Sequence, residues 1–385
     1  MTRKLRMGMI GGGIGSFIGD VHRKAASLDG MIELVCGAFS STAEKSVASG
    51  KALLLPSHRC YANYQEMILK EKELPKEIRM DFVAIVTPNH MHFPPAKMAL
   101  ENGFHVICDK PITLTLEEVI KLKTIIKKSD KIFALTHNYT GNAMVKQAKA
   151  MVTKGDLGKI RKVQVQYLQG WLATSLEETG QKQATWRVDP NKSGIGGALG
   201  DIGTHAENLT EYITGLKIDE IAADLGIFGK GRVLDDDGNI LLRLENGAKG
   251  TLSLSQIAVG EENNLSIKVF GEKASLEWQQ ENPNQLITKW LDEPVKIYTP
   301  NGNGLYPEAL NVSRIPAGHP EGYLEAFATI YKNFASHLLA LESGETTTTI
   351  DFPTVDDGIR GMQFIYAAVK SSENNSVWTK LASTK

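Results

Sequence analysis

Residues 9–16 read Met9-Ile10-Gly11-Gly12-Gly13-Ile14-Gly15-Ser16. This turn follows an apolar run, residues 5–10, and precedes residues 17–27, which have a helical composition. Glycines permit a tight turn and let the backbone approach a pyrophosphate, and the following helix N-terminus adds N–H donors. The order strand, glycine-rich turn, helix therefore predicts a dinucleotide-binding unit that uses Gly11, Gly13, Ile14 and Gly15. Ser16 replaces the last glycine of the usual pattern and is still small enough for close packing of helix on strand.

Apolar runs continue to alternate with helical segments through the first third of the chain. The further runs are residues 32–39, 81–87, 104–108 and 132–136. Strands that are apolar on both faces and separated by helices predict a parallel sheet covered on both sides. The sequence thus predicts an α/β Rossmann domain, a doubly wound parallel sheet, over residues 1–138.

After about residue 140 the pattern changes to strands with one polar face. Residues 160–168 alternate, and several strands follow in series from residue 220 to about residue 295. Glu245-Asn246-Gly247 between two such runs predicts a type I′ hairpin turn, and Gly215 is the expected C-cap of a helix. Residues 139–385 are predicted to form an α+β domain with a large, mostly antiparallel open sheet. Its exposed face suits a homodimer or homotetramer.

Composition excludes several classes of function. The 43 Lys and Arg residues balance 44 Asp and Glu residues, so there is no basic field for nucleic acid or an anionic membrane. No apolar run reaches the length of a membrane span, and the start of the chain is too briefly apolar for a signal peptide. Cys36, Cys60 and Cys108 are widely spaced without a CxxC pair, as in a reduced, cytoplasmic protein.

The end of the second strand bears on which nicotinamide cofactor would bind. An NAD site usually has Asp or Glu there, bound to the ribose hydroxyls. This chain has no carboxylate at that point and instead offers Ser40, Ser41 and Lys45. These side chains can accept a 2′-phosphate or hydrogen-bond a plain ribose, so NAD and NADP both stay open, with a slight preference for tolerance of NADP.

Asp109-Lys110-Pro111 ends the fourth strand of the predicted sheet. A lysine at a strand end, in a domain that holds a dinucleotide, can exchange a proton where a hydride moves. The alternative is a surface lysine before a proline. Asp201 and His205 are four residues apart, one turn of a helix, and glycines at 196, 197, 200 and 203 leave room for a substrate. Their alternative is a helix N-cap and a core histidine; together with Lys110, an acid–base triad is the better interpretation.

Four stretches in this order resemble the glucose–fructose oxidoreductase / inositol dehydrogenase family, often called Gfo/Idh/MocA. They are residues 9–16, 81–92, 103–111 and 196–205. The family commonly has Glu-Lys-Pro where this chain has Asp109-Lys110-Pro111. The resemblance implies a Rossmann domain with an α/β partner domain and NAD(P)-dependent oxidation or reduction of sugars and polyols. Residues 11–23, 186–190 and 317–323 look most like members that act on pyranosides and anhydrosugars.

The expected activity is hydride transfer between a nicotinamide cofactor, NAD or NADP, and a secondary alcohol of a sugar, anhydrosugar, glycoside or polyol. Lys110, Asp201 and His205 are the expected catalytic residues, with the proton taken by either Lys110 or His205. The alternative is an enzyme that retains NAD and cleaves or epimerises glycosides by transient oxidation, because the same fold and lysine would serve both. A catalytically silent sensor is disfavoured by the presence of all three residues.

Further candidates follow strand ends or lie in irregular segments. Ligands of open α/β sheets bind at the carboxyl ends of strands, and the family places cofactor contacts at such positions, here Thr87, Pro88, Asn89 and His92. Asp109 and Asn138 are expected on the cofactor, and Tyr139 on nicotinamide or sugar. Trp186 and Arg187 suit a sugar ring and its hydroxyls, or serve as a packed loop anchor. His319 is a possible substrate contact, and His90-x-His92 lacks a third ligand, so no metal is expected.

Overall fold

The computed structural model describes residues 3–345 and 350–382, which divide into two compact units. The first contains the chain up to Asn138 together with Leu324–Ile359. The second contains Tyr139–Tyr323 and the chain from Arg360 onward. Residues 324–359 belong to the first unit. The sequence-based division into residues 1–138 and 139–385 stays a prediction.

The first unit is built on a parallel sheet of five strands in the described residues, in the order β2-β1-β3-β4-β5. Its strands and the helices that connect them are β1 (Leu5–Gly11), α1 (Phe17–Leu28), β2 (Ile32–Ala38), α2 (Ala43–Ala52), α3 (Tyr64–Glu73), β3 (Phe82–Val86), α4 (Phe93–Glu101), β4 (His105–Cys108), α5 (Leu116–Ser129) and β5 (Phe133–Leu135). Strand β3 is buried at every residue, as expected for a strand covered on both faces. The predicted doubly wound Rossmann sheet is confirmed.

The second unit carries a larger, mostly antiparallel sheet. Its elements up to residue 310 are α6 (Ala143–Thr153), β6 (Lys162–Leu168), α7 (Lys182–Arg187), α8 (Pro190–Ser193), α9 (Thr204–Thr214), β7 (Ile218–Gly226), β8 (Asp237–Leu244), β9 (Lys249–Ser255), β10 (Asn264–Phe270), β11 (Ala274–Gln279), β12 (Leu286–Trp290), β13 (Lys296–Tyr298) and α10 (Pro307–Leu310). The chain ends with α11 (Tyr323–Glu342), α12 (Val355–Glu373) and β14 (Thr379–Lys380).

Within residues 3–345 and 350–382 this sheet has nine strands in the order β13-β12-β11-β10-β6-β9-β8-β7-β14. Strands β6 and β9 run parallel, and the other neighbouring pairs are antiparallel. Val163, Val165 and Tyr167 on β6 are buried while the residues between them are more exposed, so one face is covered. Helix α9 packs on β6 and β10. The predicted α+β architecture is confirmed.

Local signals mark two turns of the second unit. Gly215 has a φ of +68° and its N–H donates to the carbonyl oxygen of Glu211 at 2.9 Å, which confirms the predicted C-cap. The type I′ turn predicted at residues 245–247 is wrong, because only Gly247 of the three residues has a positive φ, +86°. A bond from Gly247 N–H to the Leu244 carbonyl at 2.8 Å closes a three-residue loop with a left-handed glycine instead.

None of the helices in the described part of the chain combines the length and the apolar character needed to cross a bilayer.

Candidate active site

The glycine-rich turn joins β1 to α1 through a very close backbone approach. A Cβ on Gly19 would lie 2.3 Å from the Cα of Gly12, so α1 reaches the turn only because both residues lack side chains. Ser16 is the N-cap of α1, and its Oγ accepts from the Gly19 N–H at 3.2 Å. The close packing expected at Ser16 is thus provided one turn later, by Gly19.

The same turn is tied to the end of β2. The N–H of Gly13 donates to the Phe39 carbonyl at 3.1 Å, and the N–H of Ile14 donates to Ser49 Oγ at 3.1 Å. A Cβ on Gly13 would lie 2.7 Å from both acceptor groups. By contrast, a Cβ on Gly15 would meet nothing within 4 Å, and the side chain of Ile14 is 71% exposed. An open backbone at the start of a twelve-residue helix fits a bound pyrophosphate.

Ser41 and Lys45 are exposed beyond β2, and Ser40 is half-buried. Residue 39 at this strand end is the buried Phe39, whose N–H donates to Ser46 Oγ at 2.8 Å. The structure therefore offers hydroxyls and one ammonium to a ribose or a 2′-phosphate at this position.

Asp109 anchors the backbone next to Lys110. Its Oδ1 accepts from Thr136 Oγ1 at 2.7 Å and from the Lys110 N–H at 2.9 Å. Lys110 itself is half-buried, and the peptide that joins it to Pro111 is cis. The acidic residue of the tripeptide is thus engaged with the protein through one carboxylate oxygen, and it links the ends of β4 and β5.

Three fully buried histidines surround Asp109 and Lys110. Burial lowers the pKa of His22 to about 4, and burial with a further contribution from the positive charge of Lys110 lowers the pKa of His137 to about 3. Burial also lowers the pKa of His92. The rings of His22 and His137 are therefore neutral at pH 7, and Lys110 lies close enough to His137 for its charge to affect that pKa.

His92 holds two strand ends together. Its Nδ1 lies 2.7 Å from the Pro111 carbonyl oxygen and its Nε2 lies 2.8 Å from the Thr87 carbonyl oxygen. Both ring nitrogens of this cofactor candidate therefore face backbone oxygens. No group of three potential metal ligands lies together among the described residues, so the structure offers His90-x-His92 no third ligand.

The remaining cofactor candidates of the first unit lie at strand ends. Thr87 and Pro88 are half-buried, and Oγ1 of Thr87 donates to the Met91 carbonyl at 2.8 Å. Asn89 is 5% exposed, and Asn138 begins a short 3₁₀ turn at 1% exposure. Nδ2 of Asn138 is buried without a hydrogen-bond partner among the described residues.

Asp201 lies in a π-helical turn, Leu199–Gly203, directly before α9. Its Oδ2 accepts from Arg187 Nε at 2.9 Å and from Gln256 Nε2 at 2.8 Å. Two donors on one oxygen suit an ionised carboxylate. Two other segments of the second unit therefore hold the side chain of Asp201. A simple N-cap, the alternative interpretation, would not have these partners.

His205 lies in the first turn of α9 and is 7% exposed. Its ring packs edge-on against Tyr139, with centroids 4.9 Å apart, and lies 6.1 Å from the ring of Tyr167. Burial raises the pKa of Tyr139, and the negative charge of Asp201 contributes to the rise. Tyr139 therefore packs against His205 and lies within range of the negative charge of Asp201.

A network of hydrogen bonds along this wall begins at Tyr139 and meets at Asn263. Tyr167 Oη donates to Asn263 Oδ1 at 2.7 Å, so Tyr139 Oη is the donor in its 2.6 Å bond to Tyr167. Gln169 Nε2 donates to the same Asn263 oxygen at 2.8 Å. Gln256 Nε2 then lies 3.5 Å from Gln169 Oε1 and donates to Asp201. The wall consists of phenols and amides with fixed orientations.

Most glycines between residues 196 and 203 serve packing and leave no room for a substrate. Added Cβ atoms on Gly196, Gly197 and Gly203 would meet protein atoms at 3.2, 2.2 and 3.1 Å. At Gly200 the nearest atom would be Ile365 Cδ1 at 3.9 Å, so only this glycine has ordinary space around it. The expectation that all four clear an approach is therefore wrong.

Trp186 and Arg187 lie at the end of α7, and the guanidinium carbon of Arg187 is 4.4 Å from the Trp186 ring centroid. Nη1 of Arg187 donates to Gln183 Oε1, so Arg187 orders its own helix as well as Asp201. His319 is exposed, with Nδ1 3.1 Å from the Pro316 carbonyl oxygen. Among the described side chains no contact joins His319 to Asp201 or His205.

Gln169 and Gln256 were not among the sequence candidates, although a signal for them exists. Each follows the carboxyl end of one of the two parallel strands, Gln169 after β6 and Gln256 after β9. Polar residues at that position gather at one edge of the sheet. The parallel pairing itself was not predictable from the alternation within either strand.

Comparison with known families matches both halves of the chain. Residues 5–137 match "Oxidoreductase family, NAD-binding Rossmann fold", and residues 145–277 match "GFO/IDH/MocA C-terminal domain". These matches cover the glycine-rich turn, Lys110, Asp201 and His205.

Relatives of full or nearly full length support the same grouping. The chain is 36% identical to the uncharacterized oxidoreductase YfiI of Bacillus subtilis, over 99% of this chain and 98% of the relative. It is 26% identical to levoglucosan dehydrogenase of Pseudarthrobacter phenanthrenivorans, over 79% and 84%. An inositol dehydrogenase homolog from Azotobacter vinelandii, solved with NADH and myo-inositol, superposes with a TM-score of 0.90 at 34% identity, over 99% and 98% of the chains. The chain belongs to the GFO/IDH/MocA family of NAD-binding oxidoreductases.

Proposed function

We propose that the protein is an NAD(P)-dependent dehydrogenase that oxidises a secondary alcohol of an uncharged sugar, anhydrosugar, glycoside or polyol. Lys110, Asp201 and His205 are the proposed catalytic residues. The observation that carries the proposal is the surroundings of His205, a buried imidazole within a wall of phenols and amides that also holds the carboxylate of Asp201.

The first unit supplies the groups that would hold the cofactor. Its pyrophosphate would lie on the glycine-rich turn that contains Gly13, at the open positions Ile14 and Gly15, and its ribose near Ser40, Ser41 and Lys45. Further contacts with the cofactor are proposed for residues that follow the ends of β3, β4 and β5, namely Thr87, Pro88, Asn89, Asp109 and Asn138. When bound, the nicotinamide accepts the hydride from the alcohol carbon.

The alcohol must also lose its hydroxyl proton. His205 is suited to take it at a ring nitrogen, because the pKa of a histidine normally lies near neutral pH. Lys110 is suited to the same oxygen, because an ammonium stabilises an alkoxide and the carbonyl oxygen that replaces it. The proposal thus assigns proton transfer to His205 and charge stabilisation to Lys110.

Asp201 orients the substrate or His205 and does not itself carry the proton. Arg187 and Gln256 both donate to its Oδ2, so the carboxylate stays ionised and its direction is fixed. A fixed negative charge near His205 would favour the imidazolium that forms when the substrate proton is taken.

The charges of the second unit support the proposed substrate class. The guanidinium of Arg187 is already matched by Asp201 at 2.9 Å. The remaining groups of the wall are Tyr139, Tyr167, Asn263 and Gln169, which are uncharged donors and acceptors of the kind that bind hydroxyls. A polyhydroxylated neutral ring suits such a wall better than a phosphorylated or acidic sugar, and levoglucosan and myo-inositol, named for two relatives, are of this kind.

The test is a screen of the purified protein against pyranoses, anhydrosugars, glycosides and inositols, with NAD+ and NADP+ in separate series. We expect absorbance of reduced nicotinamide to accumulate in proportion to oxidised sugar. Lys110→Ala and His205→Ala should each lower kcat by roughly a hundredfold or more, whereas exchange of the exposed His58 for Ala should not.

Two results would contradict the proposal. Full activity in both variants would remove the catalytic assignment. Product formed without net reduced cofactor would instead indicate the retained-cofactor alternative, cleavage or epimerisation by transient oxidation.

The variant Lys45→Ala tests the choice between NAD+ and NADP+. Loss of this ammonium should weaken the binding of NADP+ more than the binding of NAD+.

A further inference from the structure

The dipeptide Asp235-Asp236 lies just before β8 and is buried, with exposures of 8% and 2%. Three successive N–H groups of the segment before α9 end on Asp235. Oδ1 accepts from Gly197 at 2.7 Å, Oδ2 accepts from Leu199 at 2.6 Å, and the backbone oxygen accepts from Ala198 at 2.8 Å. The carboxylate and the carbonyl of one residue thus hold this segment at a single point.

These N–H groups are the ones that a helix cannot satisfy by itself, because no preceding turn supplies acceptors for them. The first bond inside the segment runs from the Asp201 N–H to the Gly197 carbonyl at 3.0 Å. Asp235 therefore fixes Gly197 on one side, and Gly197 fixes the backbone of Asp201 on the other. His205 follows one turn later at the start of α9.

The contact is too close for any side chain at residue 197. A Cβ there would lie 2.2 Å from the Asp235 carbonyl oxygen. A substitution at Gly197 therefore tests the same contact as one at Asp235, since an added methyl group must push the segment away from Asp235.

The other half of the dipeptide reaches Asp201 by a second route. The Asp236 carbonyl accepts from the Gln256 N–H at 2.8 Å, and Gln256 Nε2 donates to Asp201 Oδ2. The Asp236 carboxylate is used elsewhere, accepting from the N–H groups of Phe228 and Gly229 at 2.9 and 2.8 Å. Residues 235–236 therefore fix the main chain of Asp201 through Gly197 and its side chain through Gln256.

We propose that Asp235 is a positioning residue that sets where Asp201 and His205 stand by holding residues 197–199, without touching the substrate. The proposal rests on the proposed function, in which Asp201 and His205 act on the alcohol. Its physical basis is that a small displacement of a reacting group lowers the rate of catalysis strongly, although the protein still folds.

The test compares Asp235→Asn and Gly197→Ala with Glu211→Gln. Glu211 is a matched control, because it is a buried carboxylate at the other end of α9 that accepts from Ile218 N–H at 2.9 Å and pairs with Arg360 at 2.6 Å. All three variants should lower the unfolding midpoint. Only the first two should lower kcat, by about tenfold or more, with NAD+ affinity unchanged.

A second readout does not depend on activity. Histidine isotope-labelled at Cε1 gives a resonance for His205 that is assigned by its loss in His205→Gln. Asp235→Asn and Gly197→Ala should shift the pH titration of this resonance, and Glu211→Gln should not. Where Gly197→Ala fails to fold, the Asp235→Asn comparison decides.

The positioning role is overturned if Asp235→Asn keeps the wild-type kcat and the wild-type His205 titration while it is destabilised as much as Glu211→Gln. Failure of the proposed function would look different. The wild-type protein would then reduce no cofactor, or His205→Ala would stay fully active, while the titration of His205 would still report whether Asp235 positions it.

Discussion

Nε2 of His22 lies 3.9 Å from Oδ2 of Asp109, and Nδ1 of the same ring lies 2.7 Å from Oη of Tyr331. The ring is completely buried, and Phe327 of α11 packs against it with centroids 5.0 Å apart. Since Oδ1 of Asp109 is taken by Thr136 and the backbone of Lys110, Oδ2 is the oxygen that faces the histidine. The residue before the proposed catalytic lysine is thus backed by a neutral, buried imidazole.

This burial predicts a loss of stability in acid. Burial lowers the pKa of His22 in the folded protein to about 4 from an ordinary value of 6.5. A lowered histidine pKa gives stability that is complete above pH 6.5 and is lost as the pH falls towards 4, because the unfolded chain then binds the proton more tightly. The expected loss from His22 alone is about 3 kcal/mol of unfolding free energy.

The measurement is urea unfolding between neutral and acid pH for the wild type and His22→Gln, which cannot titrate. The variant should lose less unfolding free energy over this range than the wild type. Exposed His58→Gln is the control and should follow the wild-type curve. Parallel curves for wild type and His22→Gln would contradict the buried, neutral state of His22.

Asp109 should tolerate a longer carboxylate better than a neutral amide. Asp109→Asn removes the negative charge beside Lys110 and turns an amide group towards Thr136 or His22, and loss of a hydrogen bond to a charged group typically costs about 1.5–3 kcal/mol. We expect kcat to fall by about tenfold or more. Asp109→Glu keeps the charge and should stay closer to wild type.

Steady-state kinetics with the best substrate of the screen, together with the unfolding midpoint, would check this order. Equal activity of Asp109→Asn and wild type would show that the charge at residue 109 does not affect Lys110.

The strands of the first unit were predictable because each is decided by its own residues. Every residue from 82 to 86 is apolar, so this strand is stable only when both of its faces are buried, and Pro88 prevents its extension. Gly215 marks the end of α9 for a similarly local reason. By contrast, the packing of residues 324–359 with the first unit depends on which surface an amphipathic helix meets, and no pattern within the helix contains that information.

Arg187 should not be replaceable by lysine. Its Nε donates to Asp201, its Nη1 donates to Gln183, and its planar group lies over Trp186. A lysine ammonium cannot make this fork or stack in the same way. We expect Arg187→Lys to lower kcat/KM for the sugar by about tenfold, or 1.4 kcal/mol, with little change in NAD+ affinity.

The matched control is Arg161→Lys, which alters an exposed pair with Glu272, 3.3 Å apart, of the kind that contributes little. Wild-type kcat/KM in Arg187→Lys would mean that Asp201 needs no fixed partner.

Gly19→Ala should damage the glycine-rich turn. The added methyl carbon would lie 2.3 Å from the Cα of Gly12, and overpacking of this kind costs about 1–3 kcal/mol. Because the strain falls on the proposed pyrophosphate site, the dissociation constant of NAD+ should rise along with the loss of stability. Calorimetric titration with NAD+ and thermal unfolding measure the two effects.

Gly322→Ala is the control, since its added carbon would meet only Pro283 Cγ at 4.0 Å. Unchanged NAD+ binding by a folded Gly19→Ala protein would contradict the proposed role of this turn.

The sequence proposes residue types for the candidate site but does not predict the contacts between them. Lys110, Asp201 and His205 stand out because ionisable groups occur beside glycines and strand ends. Asp235 has no such signal, since the run Asp235-Asp236-Asp237-Gly238 has the composition of any exposed turn. Its burial follows from tertiary packing against residues 197–199. The same holds for His92, whose two nitrogens are occupied by backbone oxygens that only the folded sheet brings together.

The hydrogen-bond network between Tyr139 and Asp201, in which Tyr167 and Gln169 both donate to Asn263 Oδ1, has a consequence for altering this enzyme. Each amide in it is oriented by its neighbours, so that replacing Asn263 alone leaves Tyr167 and Gln169 with donors that have lost their shared acceptor. Substitutions along this line should therefore be strongly epistatic. Directed evolution towards a new sugar would advance here through paired exchanges and would find few beneficial single steps.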